Sequence, residues 1–390
     1  SKLIIMAVYK LFPIKDATIY SGYPAMNTGL DALLEVTSEY PLTLTPSPRV
    51  ARSLIKFDQT EIDDVIDNKI LGRGWSGSLK SSISVAEGID LTSTIYVYPI
   101  SGSWNNGTGQ YLDSPQTTNG CSWVFTNESG SHKWGVDDIR PFLTSSYTSG
   151  NSGGGTWYTG SNNPLISSVE KSQTFSMRSS KDLDVNVTDH ISLWYSASKN
   201  LDTGYITVDN EGFILKWNDS IEFTPSQSIQ PIMKFYSVDT NTIYPPSLEL
   251  KWDDQSFVTG SLSEIDTPDV FIGLDSNPGI FYSESINRFR LNVRPEFPVR
   301  TFQTASLYTT NKFLNSNSLY AVKDLDTNEF VIDFDSNFTK ISCDSTGNYF
   351  DIYMNGLEPE RYYKVCVKTT INNSTLVLDD NYYFKIVNSY

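Results

Sequence analysis

Alternation with a period of two runs through nearly the whole chain, and it restricts the fold more than any other feature. Thr94-Ile95-Tyr96-Val97-Tyr98, Ser247-Leu248-Glu249-Leu250-Lys251-Trp252 and Tyr363-Lys364-Val365-Cys366-Val367-Lys368 are rich in β-branched and aromatic residues. Successive side chains of a strand point to opposite faces, so such runs lay one row on a core and the other towards solvent. The expectation is an all-β chain of short strands packed as sandwiches. Helical spacing is confined to 60–67 and 188–196, with Thr188 or Asp189 placed to cap the second.

A length of 390 residues suggests two or three domains. The 23 Tyr, 20 Phe and 8 Trp supply ample core material, which excludes wholesale disorder. Net charge is −16, and both halves are acidic. Such a chain repels phosphate, so nucleic acid is not an expected partner. Cys121, Cys343 and Cys366 are too few and too odd for a disulfide framework, which fits folding in a reducing cytoplasm; a Cys343–Cys366 bridge stays as an alternative. Two histidines and no Cys/His cluster argue against zinc. No stretch approaches the roughly 18 apolar residues of a membrane helix. Leu3–Val8 is shorter than a secretory signal core, so neither membrane nor classical export is expected.

The chain has no G-x-S-x-G elbow, P-loop, H-E-x-x-H or C-x-x-C. Ser131, His132, Asp137 and Asp138 hold the residue types of a triad, but the stretch reads as a surface loop. With 45 acidic residues, no carboxylate pair stands out for glycoside hydrolysis. No enzyme activity and no cofactor are expected. Asp63-Asp64, Asp253-Asp254 and Asp379-Asp380 offer oxygens for a structural calcium, although the missing D-x-D-x-D spacing favours solvated turns. Arg288, Arg290, Arg294 and Arg300 form the basic cluster. Arg288 and Arg290 share a strand face opposite Phe289 and Leu291, either as contacts for an acidic neighbour or second copy, or as a solvated face. Residues 144–163 are Gly/Ser-rich and read as a flexible loop that exposes Trp157 and Tyr158 to a protein partner or a sugar ring. Trp104 and Trp123 are expected to cap a sandwich, and Trp194 and Trp217 to fill its core.

Five segments occur in one order: D-A-x-I at Asp16–Ile19, N-x-G at Asn27–Gly29, R-x-L-x-K-F-D at Arg52–Asp58, V-T…W…G at Val187–Gly204 and P-x-L-x-L at Pro246–Leu250. Together they resemble the DNRLRE-type domain, which implies a jelly roll over 1–252, mostly structural or carbohydrate-associated. In the third segment Ile55 and Phe57 are expected to face the core, and Asn27 and Gly29 to need positive φ. Further on, Leu357, Pro359 and Tyr363 resemble the L-x-P-x-x-x-Y segment of fibronectin type III and immunoglobulin-like domains, which implies a tyrosine corner. That places an immunoglobulin-like sandwich over 300–390, with strand E at 350–354 and a final hairpin from 376–378 and 382–387. Residues 253–299 are then a small linker domain or leading strands.

The combination, with WDDQSFVTGSL and GLEPERYYKVCVKT, resembles a virion structural protein of contractile-tailed bacteriophages, marine and cyanobacterial ones especially. The resemblance implies a non-enzymatic adaptor in a virion, made in the host cytoplasm and associated with tail or baseplate. Its partners would be other virion proteins, in multiple copies within a symmetric assembly. The alternatives are a carbohydrate-binding module for host glycans and a neck or capsid decoration protein.

Overall fold

In a computed structural model, the described residues are 7–39, 49–89, 92–128, 130, 132–134, 143–145, 153–158, 170–201, 207–223, 230–253, 255–275, 277–298, 311–379 and 382–388. The protein is all-β, with its sheets packed in sandwiches. The chain divides into two compact units that interleave in sequence. The larger takes Leu11–Ile66 and Ser76–Glu249; the smaller takes the residues up to Lys10, Asp67–Trp75 and those from Leu250 onward.

In the larger unit an eight-stranded sheet is centred on Arg49–Lys56. Lys15–Tyr20 pairs along it antiparallel, with Ile19 opposite Arg52. Phe213–Trp217 pairs with Ser53, Leu54 and Ile55, and Leu33–Glu39 with its first residues. Ser53, Ile55 and Phe57 are buried, but so are Arg52 and Leu54 on the intervening positions. The sheet is covered on both faces here. On one face Trp194 and His190 of the helix Thr188–Ser198 lie against Phe213, at 4.7 and 5.7 Å between ring centres. On the other face Leu54 and Ile214 meet Trp104, Trp123, Trp134 and Trp157, all brought in by loops or very short strands. Burial on both faces removes the outward polar row, and Phe213–Trp217 is buried along its whole length.

The helices differ from expectation at their ends. Gln59–Asp64 is α-helical and continues as a π-helical turn over Val65–Ile70. Val187 occupies the N-cap of the second helix without a side-chain bond, and Thr188 Oγ1 instead accepts from Gly77 N–H (2.9 Å). Asn27 does not have positive φ, and neither does Gly29. It is needed for space, since a Cβ there would lie 2.1 Å from the Asn106 carbonyl oxygen. Asn27, fully buried, bonds the surrounding backbone: its amide donates to Asn106 O and Cys121 O, and its oxygen accepts from Gly29 and Gly109 N–H.

The smaller unit packs two sheets face to face. One orders Val270–Asp275, Ile286–Pro295, Gly347–Tyr353 and Ser342–Asp344. The other orders Ile280–Tyr282, Tyr383–Val387, Tyr362–Ile371, Leu319–Asp324 and Phe330–Ile332, with Ser374–Leu378 also on Tyr362–Ile371. Alternate residues of both sheets interdigitate: Ile272, Phe289, Leu291 and Phe350 from the first, Tyr320, Val365, Phe384 and Ile386 from the second. Strands from 270–275 and 286–295 therefore belong to the same core as those beyond 311. The closing strands do not form a hairpin with each other. Ser374–Leu378 pairs with the end of Tyr362–Ile371, and Tyr383–Val387 with its beginning. The three cysteines are free and buried; Cys343 and Cys366 lie in different sheets.

Candidate interaction surfaces

Buried ion pairs decide which polar groups remain for other work. Arg52, wholly buried, makes a two-pronged contact with Glu222 of the short helix Asp219–Phe223, at 3.1 and 2.5 Å. Lys216 Nζ stands 3.3 Å from the same carboxylate. The guanidinium also donates to Gly154 O (2.6 Å) and lies over the rings of Trp123 and Trp157, at 4.9 and 5.2 Å. A planar, delocalised cation suits this cage of carboxylate and indole faces better than an ammonium does.

The cage overturns one sequence expectation. Trp157 and Tyr158 are not exposed; they retain 4% and 1% of their surface. The glycines before them are tight spacers rather than flexible links. A Cβ on Gly153 would meet Trp123, one on Gly154 would meet Arg52, and one on Gly155 would meet Ile214, each within 3 Å. Short strands lie at 143–145 and 156–158, and residues 146–152 and 159–163 lie outside the described residues. Trp104, Trp123, Trp194 and Trp217 are all buried.

The arginine cluster is likewise occupied internally. Arg288 forms a fork with Asp351, directly opposite on the neighbouring strand, at 2.9 and 2.8 Å. Arg290 does the same with Asp344, at 3.2 and 2.8 Å. Tyr349 lies beneath both guanidinium groups. The bonds from Arg290 hold the Asp344 carboxyl well below the usual range. Arg294 stacks on Phe271 (4.1 Å) and donates to Pro295 O. Arg288 and Arg290 are thus engaged inside the unit, where their forks staple strands of one sheet. Arg300 lies outside the described residues.

Tyr363 is buried beside Leu357, and its hydroxyl donates to Glu358 O (3.0 Å), five residues upstream across Pro359. Burial pushes its pKa up. His132 is exposed, whereas Ser131, Asp137 and Asp138 lie outside the described residues. Of the carboxylate pairs, Asp63 accepts from Gln59 and faces Lys199, and Asp379 pairs with Lys364. Among the described residues no three His, Cys, Asp or Glu side chains gather as metal ligands.

Two surfaces that sequence reasoning passed over stand out by charge and exposure. On the smaller unit, the outward residues of the second sheet form a cross-strand row, Tyr383–Lys364–Lys323–Phe330. Lys364 lies by Tyr383 and Lys323 by Phe330, at 5.9 and 5.0 Å from the ring centres. Lys385 stands by Tyr362, and Lys368 by Phe334. Tyr362, Tyr383 and Val377 are 53%, 42% and 56% exposed, so apolar and cationic groups are presented together. On the larger unit, Tyr111 packs against Tyr20 (5.1 Å) and Tyr23 (5.8 Å). Both carboxylate oxygens of Asp31 accept from Tyr111 N–H, and Asp113 accepts from Gln110 N–H and Thr117. Leu112 is 90% exposed beside them. The lysine row had a sequence signal, since Lys364 and Lys368 occupy outward positions of a strong period-two run. The tyrosine tip had none, because its members come from segments some 80 residues apart.

No family model and no curated protein matches this chain. Two solved structures align with it, a Bacteroides uniformis β-glucuronidase 3 and a Parabacteroides merdae β-glucuronidase. Identities are 8% and 11%, with TM-scores of 0.17 and 0.18, over 98% and 99% of this chain. The chain spans 36% of the length of each. Scores this low carry no argument about fold or activity.

Proposed function

We propose that this chain is a non-enzymatic structural adaptor of a tailed-bacteriophage virion, tail or baseplate associated, that joins neighbouring virion proteins. The supporting observation is how its ionic groups are spent. Arg52–Glu222, Arg288–Asp351, Arg290–Asp344 and Arg361–Asp324 each link separate segments through paired hydrogen bonds. Fork-shaped contacts of this kind fix geometry as well as contributing energy. A body stapled so heavily suits transmission of load and position between neighbours, and the exposed lysine–aromatic row offers it a contact face. The jelly-roll and immunoglobulin-like identities of the two units belong to the same reading. The host-glycan alternative loses its expected platform, because Trp157 and Tyr158 are buried.

Quantitative mass spectrometry of gradient-purified particles of the encoding phage tests the proposal. A fixed copy number per particle, with regular antibody labelling of 300–390 at one place, is the expected result. Absence from purified particles would overturn it.

A further inference from the structure

The two exposed surfaces have opposite charge and a shared apolar character. On the sheet face, Lys323 and Lys364 stand directly opposite one another. Like charges so placed destabilise a sheet. Asp379 answers Lys364, but neither Lys323 nor Lys368 has an acidic ion-pair partner among the described residues. A local rule that is broken and only partly compensated within the chain, by Asp379 at Lys364 and by the Phe330 ring at Lys323, marks a site shaped by something outside the chain. On the tyrosine tip, Asp31 and Asp113 bond only neutral groups and have no ion-pair partner among the described residues. The neighbouring Leu112 and Tyr111 remain in solvent.

We propose that the lysine–aromatic sheet face of one copy docks on the tyrosine–aspartate tip of a second copy, so that the chain associates with itself head to tail. The proposal deepens the structural-adaptor reading and takes its setting from it. Charge complementarity selects this pairing. Face against face would oppose lysines to lysines, and tip against tip would oppose carboxylates, so a two-fold symmetric contact through either surface is disfavoured. Face against tip sets Lys323 and Lys368 near Asp31 and Asp113, while Tyr362, Tyr383 and Val377 meet Tyr23, Tyr111 and Leu112. Such a contact is heterologous and leaves one face and one tip free at the ends. It grows into a ring where the rotation closes, or a filament where it does not. The −16 net charge repels copies at long range, but at about 0.15 M salt the screening length is about 8 Å, and contact pairs then outweigh it.

Sedimentation velocity of the full chain over a concentration series reads the proposal directly. Wild type is expected to pass beyond dimer mass as concentration rises. Two variants each disable one surface. Lys323→Ser with Lys368→Ser neutralises the face. Leu112→Lys with Asp113→Asn alters the tip, and Asn retains an acceptor for Gln110 N–H and Thr117. Each variant alone is expected to stay monomeric. Mixed in equal amounts they are expected to stop at a one-to-one dimer, because each keeps one working surface. A second readout needs no variant. Zero-length cross-linking of isotopically light and heavy wild-type copies is expected to join Lys323 or Lys368 of one copy to Asp31 or Asp113 of another. A wild type that stays monomeric throughout overturns the proposal. So does association that survives in both variants, or inter-copy cross-links confined to other sites. Particle composition tests the adaptor reading separately, so either can fail without the other.

Discussion

Asp16 is a carboxyl held far from its ordinary acidity. Its side chain is buried, with Val238 N–H donating to Oδ2 at 2.8 Å. Burial pushes its pKa up to about 7, with Asp239 adding to the rise and the bonds from Val238 and Ser237 opposing it. A raised carboxyl contributes stability that is fully present below its unfolded pKa and is lost as pH climbs through the folded one. The window is therefore about pH 4 to 7. Asp16→Asn keeps an acceptor for Val238 and removes the ionisation. It is expected to stabilise the protein by on the order of 2–4 kcal/mol at pH 8, and by almost nothing at pH 4. Parallel melting curves for the two proteins across that range would count against it. Gly29 gives a second residue-scale test. With a Cβ held 2.1 Å from a backbone oxygen, Gly29→Ala is expected to cost roughly 1–3 kcal/mol in denaturant unfolding, with no contribution from φ. Neither property was legible in sequence. The D-A-x-I and N-x-G patterns place both residues, but burial of Asp16 and the approach of Asn106 depend on segments about 220 and 80 residues away.

At the scale of elements, the Arg288–Asp351 fork and the turn at Asn372-Asn373 make opposite predictions. The Asp351 side chain is 1% exposed, so Arg288→Ala strands a buried carboxylate. Breaking a buried pair from one side costs about 3–5 kcal/mol, discounted here because Arg288 retains some solvent. A drop of at least about 2 kcal/mol in denaturant unfolding is expected. An unchanged midpoint would show that the fork adds nothing to stability. The turn joins Tyr362–Ile371 to Ser374–Leu378 with Ile371 opposite Ser374, and both asparagines have positive φ, 49° and 62°. That pattern fits a two-residue hairpin turn, for which Asn-Gly is preferred. Asn373→Gly is therefore expected to raise stability by roughly 0.5–1 kcal/mol, a shift of a few degrees in thermal melting. The strands on either side were readable from alternation, while their pairing was not. Runs 376–378 and 382–387 looked like partners because they are adjacent, yet both pair with one ten-residue strand. Alternation fixes which side chains face inward and leaves the neighbour undetermined.

The whole molecule poses a problem of connectivity. Polarity rises after Trp252 and a new strand pattern begins, which predicts a break there. The division between units at 249/250 is close by, but the smaller unit also takes the residues up to Lys10 and the segment 67–75. Composition could not show this, since those pieces are short and the larger unit separates them in sequence from the rest of the smaller one. Their contribution is specific. Val8 belongs to the smaller unit's apolar core, and Tyr9 packs edge-on against Tyr353 at 5.6 Å. Lys10 Nζ donates to Val331 O, and Asn355 donates back to Lys10 O at 2.8 Å. A fragment comprising 253–390 lacks all of these. The loss of one buried valine and one aromatic contact is worth about 2–4 kcal/mol, a large share of the marginal stability of a unit this size. Hydrogen exchange over Gly347–Tyr353 and Phe330–Ile332 is the direct check, because Tyr9, Lys10 and their partners converge there. Those amides are expected to exchange faster in the fragment than in the full chain. Addition of a synthetic peptide covering 1–14 should restore part of their protection. Equal protection in fragment and full chain would show that the sandwich from 253 onward is complete in itself and that the N-terminal strand adds nothing to its core.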